Sequence, residues 1–206
     1  MATLLKINSS LFGQHGQSTR LLDRYVSLWS AQHPDGQVLL RDLAAEPVPH
    51  LTAERFAAFT TKPEERSAEQ RDVAAHSDRL IDELRRADEI ALGLPMYNFG
   101  IPSTLKAYFD HIARAGETFR YTENGPAGLL TGKKALVFAT RGGRYAGTAR
   151  DTETTYVRDF LAFLGITDLE FVYAEGLAMG DEPRALALTQ AESAIDQLGT
   201  VARRAA

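Results

Sequence analysis

No cysteine occurs among the 206 residues. Its absence excludes disulfides, thiolate nucleophiles, and zinc or iron–sulfur centres held by cysteine. A basic excess is lacking too: 23 Lys+Arg stand against 27 Asp+Glu, a formal net charge of −4. The broad positive field that nucleic acids or anionic membrane surfaces require is therefore missing, and neither is expected as a partner. No apolar run approaches the ~20 residues that span a bilayer. The opening MATLLKINSS carries no apolar signal segment, so a soluble, intracellular, cytoplasmic protein is expected. His15, His33, His50, His76 and His111 lack paired ligand spacing, which disfavours a metal site. There is no G-x-S-x-G nucleophile elbow. Asp110-His111 reads as a helix-surface pair, and the charged stretch from Glu64 to Arg86 as a solvated helix face.

What is present is the composition of an ordinary globular chain, 44% hydrophobic and 24% charged. The length suits one domain covering residues 1–206. Apolar runs at Thr3–Asn8, Val38–Leu43, Glu89–Leu94, Lys134–Thr140 and Asp168–Tyr173 predict five strands. Between them, helical spacing predicts helices over Ser18–His33, within the stretch from Thr52 to about Ala87, and over Ser103–Ala115, which Gly116 is expected to end. Further helices are predicted over Thr154–Leu164 and Glu182–Arg204, the last with Leu186, Ile195, Leu198 and Val201 on its apolar side. Thr118 to Leu130 reads as an irregular excursion with a turn at Asn124-Gly125-Pro126. Strands alternating with helices make an α/β fold, a doubly wound parallel sheet with helices on both faces. Ligands of such folds sit at the carboxyl ends of the strands.

Three of those strand ends carry unusual residues. After the first strand comes Ser9-Ser-Leu-Phe-Gly-Gln-His-Gly-Gln-Ser-Thr19, then a helix. Hydroxyls, glycines and a helix N-terminus are the parts of a phosphate cradle. The segment has no Lys or Arg, so it is not a Walker A loop, and the G-x-G-x-x-G dinucleotide fingerprint is missing as well. A mobile loop with an ordinary cap at Gln17 or Ser18 is the competing reading. After the third strand, Pro95-Met-Tyr-Asn-Phe-Gly-Ile-Pro102 holds aromatics and an amide between two prolines. Such a loop can flank a flat ring, or simply fill a core. After the fourth, Thr140-Arg-Gly-Gly143 lets the backbone approach a ligand closely, or makes a plain turn. Together the three loops describe one pocket with a phosphate end and a planar-ring end. FMN is the mononucleotide that a doubly wound sheet of order 2-1-3-4-5 places there.

Pro95-Met-Tyr-Asn-Phe-Gly-Ile-Pro-Ser-Thr-Leu-Lys106 resembles a signature of the FMN-dependent NADH-azoreductases, within the flavodoxin-like quinone reductases. So do Gly116–Leu129, Arg141-Gly-Gly143, Phe163–Asp168 and Ala174-Glu-Gly176, and the resemblance runs from Leu4 to the last helix. It implies that Ser10, Gly16, Gln17 and Ser18 hold the FMN phosphate. Met96, Tyr97, Asn98 and Phe99 would line the isoalloxazine and ribityl chain, and Thr140, Arg141, Gly142 and Gly143 would meet the pyrimidine edge. Many members carry Ser where this chain has Gly16 and Thr140, so one cradle hydroxyl is absent and the other is kept. The resemblance further implies a homodimer whose substrate pockets draw on both chains, with Tyr121 and Phe163 as aromatic walls near Phe56 and Phe59. A core position for Phe163 and a solvent-side one for Tyr121 are the plain alternatives. The implied activity is two-electron ping-pong transfer from NADH or NADPH, through the flavin, to quinones or azo compounds, with no catalytic side chain required. An electron-transfer flavoprotein and a non-catalytic FMN-binding module are the rival classes. The first usually relies on a strongly charged docking surface, which −4 over 206 residues does not supply.

Overall fold

Side-chain alternation along the strands decides how this chain layers. In β1 (Thr3–Asn8), Leu4 faces one side of the sheet while Leu5 and Ile7 lie among the residues of the other, and all three are buried. The same division recurs in β3 (Glu89–Pro95), with Ala91 against Ile90 and Leu92, and in β6 (Lys134–Thr140), with Leu136 and Phe138 against Ala135 and Val137. Strands buried on both faces are the mark of a parallel sheet covered on each side. With β2 (Gln37–Asp42) and β7 (Asp168–Ala174) they form a five-stranded sheet of order β2-β1-β3-β6-β7, every neighbour parallel. That is the 2-1-3-4-5 order, counted along the sheet strands alone. The computed structural model describes the backbone of residues 1–205 and the side chains of residues 1–198.

Helices α1 (Gln17–Gln32) and α6 (Asp181–Ala205) cover one face, burying Leu21, Leu22, Tyr25 and Trp29 with Ala191 and Ile195. The stretch from Thr52 to Ala87 is two helices, α2 (Ala53–Thr60) and α3 (Ala68–Arg86). Thr52 caps the first and a Ser67–Gln70 capping box starts the second. Helices α3, α4 (Ser103–Ile112) and α5 (Thr152–Leu164) contribute Leu80, Leu84, Tyr108, Phe109, Val157 and Leu161 to the core of the opposite face. Each such apolar side chain contributes about 1.5–3 kcal/mol relative to exposure.

Three expectations need correction. Helix α4 stops at Ile112, not Ala115. The Thr118 hydroxyl donates to the Ile112 carbonyl at 2.6 Å and accepts from the Arg114 N–H at 3.1 Å, taking groups that a further helical turn would use. Gly116 (φ +84°) serves the turn that follows. The stretch 118–130 contains an ordered antiparallel hairpin, β4 (Phe119–Thr122) and β5 (Gly125–Gly128), joined by Glu123-Asn124. Helix α1 begins at Gln17 with Gly16 as its cap residue, not Gln17 or Ser18. The expected apolar position of Val201 lies outside the described side chains.

Candidate active site

The carboxyl ends of β1, β3 and β6 converge on a cleft of about 150 Å³, lined by Ser10, Gly16, Gln17, Met96, Tyr97, Thr140, Arg141 and Gly142, together with Phe12, Pro95 and Leu177. Its first wall is the β1–α1 turn. Gly16 caps α1 without any side-chain hydrogen bond to the helix. The N–H groups of Gln17, Ser18 and Thr19 consequently have no partner among the described residues. The Ser18 and Thr19 hydroxyls are buried and equally unpartnered. A bare helix N-terminus with buried, unused hydroxyls has a positive potential and free donors suited to a phosphate group. Gly16 has a steric reason as well: a Cβ there would stand 2.2 Å from Ser10 Oγ and 2.6 Å from its Cβ. Ser10 occupies that space, its Oγ accepting from the Phe12 N–H at 3.2 Å and lying 3.4 Å from the Tyr97 hydroxyl.

The second wall is the turn after β3. Tyr97 and Gly100 exchange two backbone hydrogen bonds, of 2.9 and 3.0 Å, around Asn98 and Phe99. Both central residues have positive φ, +52° for Asn98 and +62° for Phe99. Asn tolerates the left-handed region; a phenylalanine there costs about 1–2 kcal/mol. Strain of this kind persists where surroundings over-determine the backbone, and it clusters at ligand sites. Here the Thr152 hydroxyl at the start of α5 donates to the Phe99 carbonyl. The Phe99 ring remains half exposed and borders a second, mainly apolar hollow of about 430 Å³ with Ile101, Ser103, Lys106 and Tyr156.

The third wall is 140–143. The carbonyls of Arg141, Gly142 and Gly143 accept from Leu177, Ala178 and Gly176 at 3.1, 3.0 and 2.9 Å. The N–H groups of Gly142 and Gly143 have no partner among the described residues, which leaves two adjacent backbone donors for a ligand edge. The Arg141 guanidinium does not serve that purpose. It is buried, donating to Asp151 at 2.7 Å, Thr154 at 2.9 Å and Glu175 at 3.1 Å, with the Tyr173 ring 5.2 Å away. Burial alone would lower its pKa; the Asp151 hydrogen bond and charge outweigh that and keep it cationic. Burial also opposes ionisation of Asp151, yet Arg141 holds that carboxyl below its ordinary range. Glu153 is fully buried, 3.5 Å from Arg141 Nε but without a hydrogen bond. Burial, with the Asp151 charge adding, pushes it up to about 8, Arg141 opposing.

The structure thus brings together Ser10, Gly16, Gln17, Met96, Tyr97, Thr140 and the 141–142 main chain, with Ser18 behind the first wall and Asn98, Phe99 and Gly143 at the rim. Tyr121 (75% exposed) and Phe163 lie elsewhere in the chain, both packed edgewise or tilted on Phe119 beside the hairpin. Phe56 is exposed on α2, while Phe59 lies under Arg114. The sequence reading passed over Leu177, Tyr145 and Thr152. Leu177 follows β7, so the rule that sites sit at strand ends points to it; Tyr145 and Thr152 carry no signal in their spacing. A larger hollow, about 590 Å³, lies between α2 and α3, away from the strand ends. Among the described residues, no group of three or more His, Asp or Glu is placed to hold a metal, and no helix is long and apolar enough to cross a membrane.

Residues 2–198 match the family model described as a flavodoxin-like fold. The chain belongs to that flavodoxin-like family. An FMN-dependent NADH:quinone oxidoreductase of Cellvibrio japonicus is 55% identical over 192 residues, covering 93% of this chain and 96% of its own length. One from Alcanivorax borkumensis is 54% identical over 190 residues, 92% and 96% of the two chains. Among solved structures, an FMN-dependent NADH-azoreductase of Bacillus anthracis in complex with FMN superposes with a TM-score of 0.86 at 27% identity, over 97% of this chain and 100% of that one. On its own observations the flavodoxin-like cleft fits a phosphorylated planar cofactor: free helix N–H groups and orphaned hydroxyls stand at one end, two glycine N–H groups at the other.

Proposed function

We infer that this chain is an FMN-dependent NADH:quinone oxidoreductase that also reduces azo compounds. The observation that carries the reading is the uncapped start of α1, where the buried hydroxyls of Ser18 and Thr19 have no partner among the described residues. Leaving a buried polar group unpaired costs about 1–3 kcal/mol, a cost that a bound phosphate removes. Relatives of 50–55% identity that carry this name support the activity.

A bound FMN would supply two-electron redox chemistry between a nicotinamide donor and a quinone or azo acceptor. The chain itself binds, orients and excludes water. Ser10, Gly16, Gln17 and Ser18 would hold the phosphate through the Ser10 and Ser18 hydroxyls and the free N–H groups of Gln17, Ser18 and Thr19, Gly16 leaving the room, and the α1 dipole favours its charge. Met96 to Phe99 flank the flat ring system and the ribityl chain. Thr140 fixes the third wall against the second, its carbonyl accepting from the Met96 N–H at 3.0 Å. Gly142 and Gly143 present N–H groups to the pyrimidine edge. Arg141 serves from behind, tying this loop to Asp151 and Glu175. No side chain is needed to move a proton, which water can supply. The working form is a homodimer dissolved in the cytoplasm, in which Tyr121 and Phe163 wall the acceptor pocket across the interface, and either NADH or NADPH is the donor.

The test is anaerobic titration of the FMN-loaded protein with NADH and with NADPH, followed by a quinone and an azo dye. The expected result is bleaching of the flavin and its recovery on adding the acceptor. A flavin that neither nucleotide bleaches overturns the enzyme reading.

A further inference from the structure

The segment from Arg144 to Asp151 joins the third wall to α5, and its one aromatic residue, Tyr145, packs against both Gly143 of that wall and Phe99, which borders the apolar hollow. The half-buried Tyr145 ring meets the Phe99 ring edge to face, centroids 5.6 Å apart at 65°. Its hydroxyl end lies close over Gly143: a Cβ there would stand 2.5 Å from the Tyr145 hydroxyl oxygen. That hydroxyl has no partner among the described residues. The backbone beneath the ring is held firmly. The Tyr145 and Ala146 N–H groups donate to Glu175 Oε1 at 2.8 and 2.9 Å, and the Tyr145 carbonyl accepts from the Thr148 N–H at 2.9 Å. Glu175 in turn is held by the buried Arg141 guanidinium. An aromatic side chain is thus anchored where the Gly142–Gly143 edge gives way to the apolar hollow bordered by Phe99.

We propose that Tyr145 determines acceptor specificity: with Phe99 it flanks the planar ring of a quinone at the junction of the cofactor cleft and the apolar hollow. The proposal rests on the quinone-reductase reading above. Two aromatic edges meeting a flat ring favour larger ring systems, because contact area grows with ring size. Gly143 follows from the same arrangement, since any side chain there would push the Tyr145 ring off its seat.

The test compares wild type, Tyr145→Ala and Tyr145→Phe, each FMN-loaded, with a naphthoquinone and a benzoquinone. Quinone binding to the oxidised holoprotein is read from the flavin difference spectrum, and KM from steady-state NADH oxidation. Tyr145→Ala is expected to raise the Kd and KM for the naphthoquinone about tenfold, and for the benzoquinone less. Its flavin remains bound through gel filtration, and Tyr145→Phe restores the wild-type values. Unchanged Kd and KM in Tyr145→Ala overturn the assignment, as does loss of the flavin or a shift confined to NADH. A wild-type holoprotein that binds quinone spectrally but does not oxidise NADH defeats the enzyme reading while leaving the Tyr145 comparison measurable by Kd.

Discussion

Ser18 shows how a single buried atom separates stability from function. Its hydroxyl is enclosed and unpartnered, so Ser18→Ala removes a desolvation cost from the FMN-free protein. Urea unfolding without FMN is expected to show a gain of about 1 kcal/mol. Fluorescence titration of the same variant is expected to show weaker FMN binding, the opposite sign. Glu153 makes a second such case through pH. Its carboxyl is raised to about 8 in the folded protein, chiefly by burial. The folded state therefore binds more protons than the unfolded state between the ordinary carboxylate range and pH 8. Stability attributable to Glu153 falls as pH rises through that window and levels off above it. Glu153→Gln abolishes the slope, so thermal unfolding should show a larger gain in Tm at pH 8 than at pH 5. Neither feature was legible in the sequence. Ser18 was singled out as a phosphate ligand, but its isolation is a property of packing, and Glu153 stood among other charges with nothing to mark its burial. Arg141 was expected at the ligand edge; it lines the cleft, but the motif does not show that its guanidinium turns inward to Asp151 and Glu175.

Elements were easier to read than their junctions. The five sheet strands were legible because continuous apolar runs leave little alternative to burial on both faces. The hairpin was not: Phe-Arg-Tyr-Thr buries only Phe119, and Gly-Pro-Ala-Gly has no strand-forming composition. What orders it is contact with α5. A Cβ on Gly128 would stand 2.1 Å from the Gly165 nitrogen and 2.3 Å from the Leu164 carbonyl carbon, all backbone that cannot give way. Gly165 closes α5 in the left-handed region, φ +103°, which only glycine adopts freely. Next to this contact, the Leu130 N–H donates to the Leu164 carbonyl at 2.8 Å. Gly128→Val is expected to cost more than about 2 kcal/mol in urea unfolding and to loosen the hairpin in hydrogen exchange. A loss under about 0.5 kcal/mol, the range of an indifferent surface change, would mean that the hairpin is not docked there.

At the scale of the molecule, the sheet holds three loops in register from both sides. Helices α1 and α6 press on one face, and α3, α4 and α5 on the other. Because the cleft contains donors with no internal partner, the FMN-free protein lacks part of its own bonding. Adding FMN at about 100 times its Kd is expected to raise stability by about 2.7 kcal/mol, read as a concentration-dependent Tm. A Tm indifferent to FMN would show that the cofactor binds folded and unfolded chains alike, or neither. The cleft was legible at this scale because strand ends in a doubly wound sheet converge by topology, whereas the contacts of Tyr145 and Thr152 depend on how a loop returns and could not be read from spacing.

Most of the cleft's unused donors belong to the main chain: the N–H groups of Gln17, Ser18, Thr19, Gly142 and Gly143. A point mutation replaces a side chain and leaves the peptide group where it was. Grip on the cofactor is thereby insulated from most single substitutions, while the rings of Phe99 and Tyr145 stay open to change. On the reading proposed above, such a division of labour lets descendants of one chain try new acceptors without first losing the means to reduce them.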